Sequence, residues 1–445
     1  MQQSGLNLQQ APPIWVPFRF FLSAPLFGLL AAVVMLWQGP DLFTSRWSAS
    51  TLAATHLITL GFMTMVMAGA MMQMLPVLAG ASVPRPKLVV AIVHPLLVLG
   101  TLLLAGGFLL AESRLLQYAV VLLGTGLTVF FGALLLTLSR VRNPTATIRA
   151  IWLASIAFGI TLVLGLILGY SHGWDAPLPS QSLRDLHPAW GLVGWTGLLV
   201  AGVAYQIVPM FQMTPNYPHW LTRGLAGSAF ILLGLWSLAQ WQGAAEWMWL
   251  RVASVCLLVA AYSLFAAVTI HLQRHRRRRL PDVTLEFWRA GMVFLLLAAL
   301  LWLSRQVPGL AFAQSDVLLG VLVIAGAAVS FISGMLYKIM PFLAWFHLQT
   351  LSASGKPLPN MKAILPEKAQ RRQLRLHLAS VGLLIAAALW PTLFAYPAGL
   401  SFGAAMLFLM RNLIRVARVY RDCLQRAVQA NLVSGMAEKL THEQK

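Results

Sequence analysis

The sequence predicts an all-α polytopic membrane protein: twelve transmembrane helices in three four-helix arcs with pseudo-threefold symmetry, and both termini cytoplasmic. Three observations carry this. The 445 residues are 59% hydrophobic and 10% charged, with a mean hydropathy of +0.75, which no ordinary soluble domain shows. The apolar runs are long enough to cross a bilayer as helices that satisfy their own backbone hydrogen bonds. Finally, one short pattern occurs three times. Gly69-Ala-Met-Met-Gln-Met-Leu-Pro76 recurs as Gly202-Val-Ala-Tyr-Gln-Ile-Val-Pro209 and as Gly334-Met-Leu-Tyr-Lys-Ile-Met-Pro341. The closing prolines are 133 and 132 residues apart, close to a third of the chain.

Taken in order, the apolar spans fall at 18–38, 53–76, 88–110, 115–138, 148–170, 187–211, 224–241, 247–270, 287–304, 317–341, 374–392 and 396–418. The loops after odd-numbered spans hold few Lys or Arg. Those after even-numbered spans hold Arg85 and Lys87, then Arg140, Arg142 and Arg149, then Arg223, then Arg274 to Arg279, then Lys356 to Arg375. This alternation places the basic loops and both termini in the cytoplasm. It makes residues 1–17 a cytoplasmic N-terminal segment and 421–445 a cytoplasmic tail, flanking one membrane domain with repeat units near 18–140, 148–275 and 284–420. It also accounts for the net charge of +20: the basic loops meet anionic lipid headgroups, and a nucleic-acid partner is not expected. No cleavable signal peptide is visible, because the first seventeen residues lack a basic n-region followed by an apolar stretch. A bacterial inner membrane is the expected location.

The triplicated pattern closes spans two, six and ten. Its glycines allow close helix approach, and its prolines fall where a lost backbone donor costs least. Helix packing therefore explains Gly and Pro without any chemistry. It does not explain the histidines. His56 opens span two and His187 opens span six, whereas span ten has Asp316 near the corresponding place. At 100° per residue, His56, Leu60, Met63, Met67, Ala70 and Met74 share one face of span two. The matching face of span six holds His187, Gly191, Gly194, Leu198, Ala201 and Tyr205, small enough to leave room for a planar group or a neighbouring helix.

Two histidines so placed are candidate ligands for a haem or a metal ion, and His172, in the outer loop between spans five and six, is a candidate third. A histidine at a helix start is also a common interfacial residue, so the bland reading stands beside the functional one. Met63 and Met67 are candidate soft-metal ligands, although methionines at helical spacing usually fill cores. His94 and His377 open spans three and eleven from the opposite side. The two cysteines, Cys256 and Cys423, form neither a disulfide framework nor a thiolate site. Within the span limits given above there is no Asp or Glu, which argues against a proton-driven carrier of ordinary design.

The run Thr55-His56-Leu-Ile-Thr-Leu-Gly-Phe-Met-Thr-Met-Val-Met-Ala-Gly-Ala70, continuing through Leu75-Pro76-Val-Leu-Ala-Gly80-Ala, resembles the second helix of the haem-copper oxidase catalytic subunits. There a histidine ligates the low-spin haem. Leu186-His187-Pro188 and the Gly-rich sequence up to Tyr205-Gln-Ile-Val-Pro209 resemble that family's sixth helix, whose histidine is a copper ligand. The resemblance implies haem (b-type) on His56 and copper on His187, and most resembles the divergent NnrS-like branch, which is associated with nitric oxide tolerance or denitrification. Span ten lacks the family's axial histidines, and 225–241 lacks the adjacent histidine pair of the copper site. The expected function is thus an oxidase-like, haem-binding membrane protein of nitric oxide or respiratory metal metabolism, without a complete binuclear centre and with a respiratory complex as partner. A permease without a proton relay and a cofactor-free assembly factor are the alternatives.

Overall fold

The computed structural model describes residues 12–351 and 359–443, apart from 278, 279, 281, 308 and 311. Much of the expected N-terminal segment and parts of the two most basic loops therefore lie outside the described residues. Among those described there are helices and no strands. Twelve helices are long and apolar enough to cross a membrane, and the chain is a multi-pass membrane protein. They are α1 (Trp15–Phe43), α2 (Ala49–Val77), α3 (Pro86–Leu110), α4 (Ser113–Leu138), α5 (Ala146–Gly173) and α6 (Gln181–Gln212). The second half holds α7 (His219–Gln242), α8 (Ala245–Arg274), α9 (Val283–Ser304), α10 (Ser315–Gln349), α11 (Glu367–Leu389) and α12 (Pro391–Arg426).

Side-chain oxygens of Ser48, Thr145, Ser180 and Asp282 accept backbone N–H groups at the starts of α2, α5, α6 and α9. These are N-caps that satisfy otherwise stranded donors. Helix α12 runs on without a break to Glu443, so the basic tail begins as its continuation. Helices α1 and α12 pack on each other, joining the two ends of the chain. Helices α2 and α10 are the most buried of the twelve, and the middles of α2 and α6 both touch the middle of α10.

The triplication extends beyond the sequence pattern. Each of α2, α6 and α10 changes from α- to π-helix for eight residues, at Leu57–Thr64, Trp190–Gly197 and Val321–Ala328. A π turn admits one extra residue and is usually kept at functional sites. Two glycines in each helix press against the first helix of its own repeat. Gly61 and Gly69 meet Phe27 and Phe20 of α1, Gly194 and Gly202 meet Ala157 and Ala150 of α5, and Gly326 and Gly334 meet Phe294 and Phe287 of α9. The glycines are eight residues apart and their partners seven, because the π segment supplies the extra residue. A Cβ on Gly202 would sit 2.6 Å from the Ala150 Cβ, with the α5 backbone close behind. Gly202→Leu should therefore force α6 off α5 and cost at least the ~1–3 kcal/mol of ordinary overpacking. Thermal unfolding in detergent should show a lowered midpoint, whereas Gly132→Leu, which meets nothing within 4 Å, should not.

Candidate functional site

A cavity of about 900 Å³ lies among α2, α5, α6 and α10, beside the π segments of α2, α6 and α10. Its walls are mostly apolar, and its size falls within the range of small-molecule and cofactor sites. His56, His187, His172 and Met63 all line it. The rings of His56 and His187 lie 6.2 Å apart, centroid to centroid, with their planes 23° from parallel. Both are held by the same ring nitrogen: His56 Nδ1 donates to the Leu52 carbonyl at 2.8 Å, and His187 Nδ1 to the Thr161 carbonyl at 3.1 Å. Such bonds put the proton on Nδ1 and leave the Nε2 lone pair free to ligate, the usual support of a metal-binding imidazole. Gly165 makes room for the second ring, since a Cβ there would lie 2.9 Å from His187 Cε1.

The two histidines reach this pairing from different registers. His56 lies 20 residues before its closing proline, His187 22 and Asp316 25, so the three are not strict repeat equivalents. His172 stands apart. Phe108 is in ring contact with both His56, at 5.9 Å, and His172, at 5.6 Å, and stands between them. Among the described residues no group of three or more His, Cys, Asp or Glu is gathered closely enough to hold a metal ion. The three-histidine set is not formed, and neither is a closed zinc site, which needs four ligands.

The common face expected of α2 does not survive its π segment. From this helix the cavity takes residues between Thr51 and Thr64, among them His56, Leu60 and Met63, and nothing after Thr64, and Met67 is buried in the apolar core. The extra residue rotates everything after Thr64, so Met67 no longer follows Met63. On α6 the same rotation turns Gly194 onto α5, while Trp195 and Thr196 line the cavity.

Four charges at the cavity mouth were legible in the sequence only as span ends. Arg46, just before α2, bonds Asp185 of α6 at 2.7 Å and Asp316 of α10 at 3.2 Å, and Arg305, just after α9, bonds Asp316 at 2.6 Å. Arg46 and Arg184 both lie over the Trp47 ring, at 4.4 and 5.1 Å. One clasp thus ties the starts of the three repeat helices together. Helices α6 and α10 begin earlier than the sequence limits suggested, so Asp185 and Asp316 lie inside them, as Glu286 lies inside α9. The expectation of spans free of carboxylates is corrected accordingly. Helix α10 also reaches His347, but beyond Pro341, at the opposite end from the cavity mouth, where Nδ1 pairs with the Tyr420 hydroxyl at 2.8 Å.

Does the donor set fit a haem? Two imidazoles, each oriented by a backbone carbonyl, line one apolar cavity whose mouth carries arginines. The residues fit. Copper on His187 with thioether support has Met63 in the same cavity but no cysteine there. No family model matches the chain, and no curated protein matches it either.

Proposed function

We propose that the chain is an oxidase-like protein of a bacterial inner membrane whose cavity takes a b-type haem through His56 and His187. The observation that carries this is the imidazole pair, with both Nδ1–H groups spent on backbone carbonyls. His56 and His187 would hold the haem, and bound there it would supply one-electron redox chemistry. The side chains hold the rings in register, exclude water through the apolar walls, and set arginines at the mouth for the carboxylates of such a group. A part in nitric oxide metabolism, copper at Met63 and His187, and a respiratory-complex partner rest on the resemblance alone. The absorption spectrum of protein purified from haem-replete cells tests the reading: a Soret band with a low-spin, six-coordinate pattern supports it, and its absence sinks it.

The second reading, a carrier for an apolar or metal-containing solute, is favoured by one feature. The Arg46–Asp185–Asp316–Arg305 clasp closes the cavity mouth with groups that can part.

The proposed topology puts the clasp and His172 outside and the closing prolines inside, with three four-helix arcs about a pseudo-threefold axis and basic loops on anionic lipid. The charge bias of the loops supports the orientation, and the repeated glycine contacts support the arcs. In intact cells, a membrane-impermeant thiol reagent should label His172→Cys and leave Arg277→Cys unlabelled. Labelling at 277 would invert the topology.

A further inference from the structure

Helices α10, α11 and α12 enclose a second polar feature, separate from the cavity and independent of the haem reading. Ser330, Ser333 and Tyr337 fall at i, i+3 and i+7 on α10, and Gln373 and His377 are four residues apart on α11. Three hydrogen bonds fix the register of this seam. His377 Nε2 pairs with Ser330 Oγ at 2.8 Å, and Asn412 of α12 donates to Tyr337 Oη at 2.8 Å and to the Ala369 carbonyl at 3.3 Å. The seam between them spans seven residues of α10, about 10 Å at 1.5 Å per residue. Ser330, Ser333, Gln373 and His377 have no exposed surface.

Three polar atoms in this short stretch have no hydrogen-bond partner within the protein: Ser333 Oγ, Gln373 Oε1 and His377 Nδ1. Each stranded group costs ~1–3 kcal/mol, and native interiors hold few of them. Clustering separates these three from scattered orphans. They comprise an acceptor, a hydroxyl that both donates and accepts, and an imidazole nitrogen of either role, a set that bridging waters complete.

A comparison within the molecule sharpens the point. His94 on α3 packs edge-on to Phe20 at 5.3 Å and pairs with Ser23 at 2.9 Å; His377 packs on Phe287 at 5.6 Å. Phe20 and Phe287 are the residues that meet Gly69 and Gly334, so the two histidines occupy matching places in the first and third repeats. His94 is only partly buried and strands no nitrogen. His377 is sealed from the bundle surface, so its second nitrogen must be met from inside.

We propose that the seam binds a short chain of ordered waters on Ser333, Gln373 and His377, giving protons a path from the proline end of the bundle toward the cavity floor. His377, which can accept at one ring nitrogen and donate at the other, is its relay. At the far end of the seam lie the ion pairs Arg371–Glu286, at 2.7 Å, and Lys338–Asp282, at 3.6 Å. At the near end, Phe331 beside Ser330 and Leu384, two turns from His377, belong to the cavity wall.

Radiolytic hydroxyl labelling of the full chain in lipid nanodiscs, after rapid mixing into H₂¹⁸O, tests both parts. His377 should be oxidised although it is fully buried, while Met71, equally buried in the apolar core, should show only background. Its label should carry ¹⁶O at the earliest mixing times and ¹⁸O within seconds, as bulk water replaces the chain. Ser333→Val with Gln373→Leu should remove the His377 label. An unlabelled His377 in the unaltered protein would show the seam to be dry and end the proposal. Label that never acquires ¹⁸O would mean sealed waters and end the path. Persistence of the label in a folded double variant would place the water elsewhere.

Discussion

His56→Ala should abolish the Soret band of the purified protein, and His187→Ala should leave a weakened, five-coordinate iron that binds carbon monoxide. Removing even the partner that supports a ligating histidine costs roughly 10–100-fold in affinity, so removing the ligand itself should exceed that. The asymmetry follows from how each ring is held. His56 is anchored to a carbonyl one turn back in its own helix, a support that travels with α2, whereas His187 depends on Thr161 of α5. His56 thus keeps its orientation when its opposite number is lost. Met67→Leu should change nothing spectroscopically, since that side chain is in the core, whereas Met63→Leu alters the cavity wall and should shift the band. A normal haem content in His56→Ala would refute the ligand assignment.

The number and order of the spans were legible in the sequence, because twenty apolar residues in a row have one physical use and basic loops mark alternate ends. The repeat was legible too, through Gly69, Gly202 and Gly334. The π segments were not. In a helix apolar on every side no amphipathic stripe reveals the turn angle, so an extra residue at Leu57–Thr64 leaves no trace in composition. That one residue is why the expected Met63–Met67 face fails and why Gly194 turns onto α5. The His56–His187 pairing was suggested by position but not by register, since the two lie 20 and 22 residues from their prolines. Phe108 and Gly165, which position His172 and His187, carried no signal at all: an apolar span contains many such residues, and only packing selects among them. The seam at His377 was hidden for a related reason. Its serines and glutamine read as tolerated polar residues until α11 and α12 bury them together.

Arg46→Leu should produce a large loss of stability. Its guanidinium meets two carboxylates from two different helices, so the substitution leaves Asp185 without its ion-pair partner and Asp316 with Arg305 alone. Each member of the clasp is about a quarter to a third exposed, which places the cost between a surface pair, ~0–1 kcal/mol, and a broken buried pair, ~3–5 kcal/mol. About 2–3 kcal/mol is the expected range. If the loss comes from stranded carboxylates, then Asp185→Asn in the Arg46→Leu background should recover part of it, and the double-mutant cycle should give a coupling above ~1 kcal/mol. Should the clasp instead serve mainly to keep the cavity mouth shut, Arg46→Leu would melt normally while a cysteine-reactive probe reached His187→Cys faster. High salt separates the two further: screening weakens an exposed clasp within a Debye length of about 8 Å, so a midpoint that falls with added salt in the unaltered protein, and not in Arg46→Leu, assigns the stabilisation to these charges. Equal melting and equal probe access in both proteins would leave the clasp with neither role.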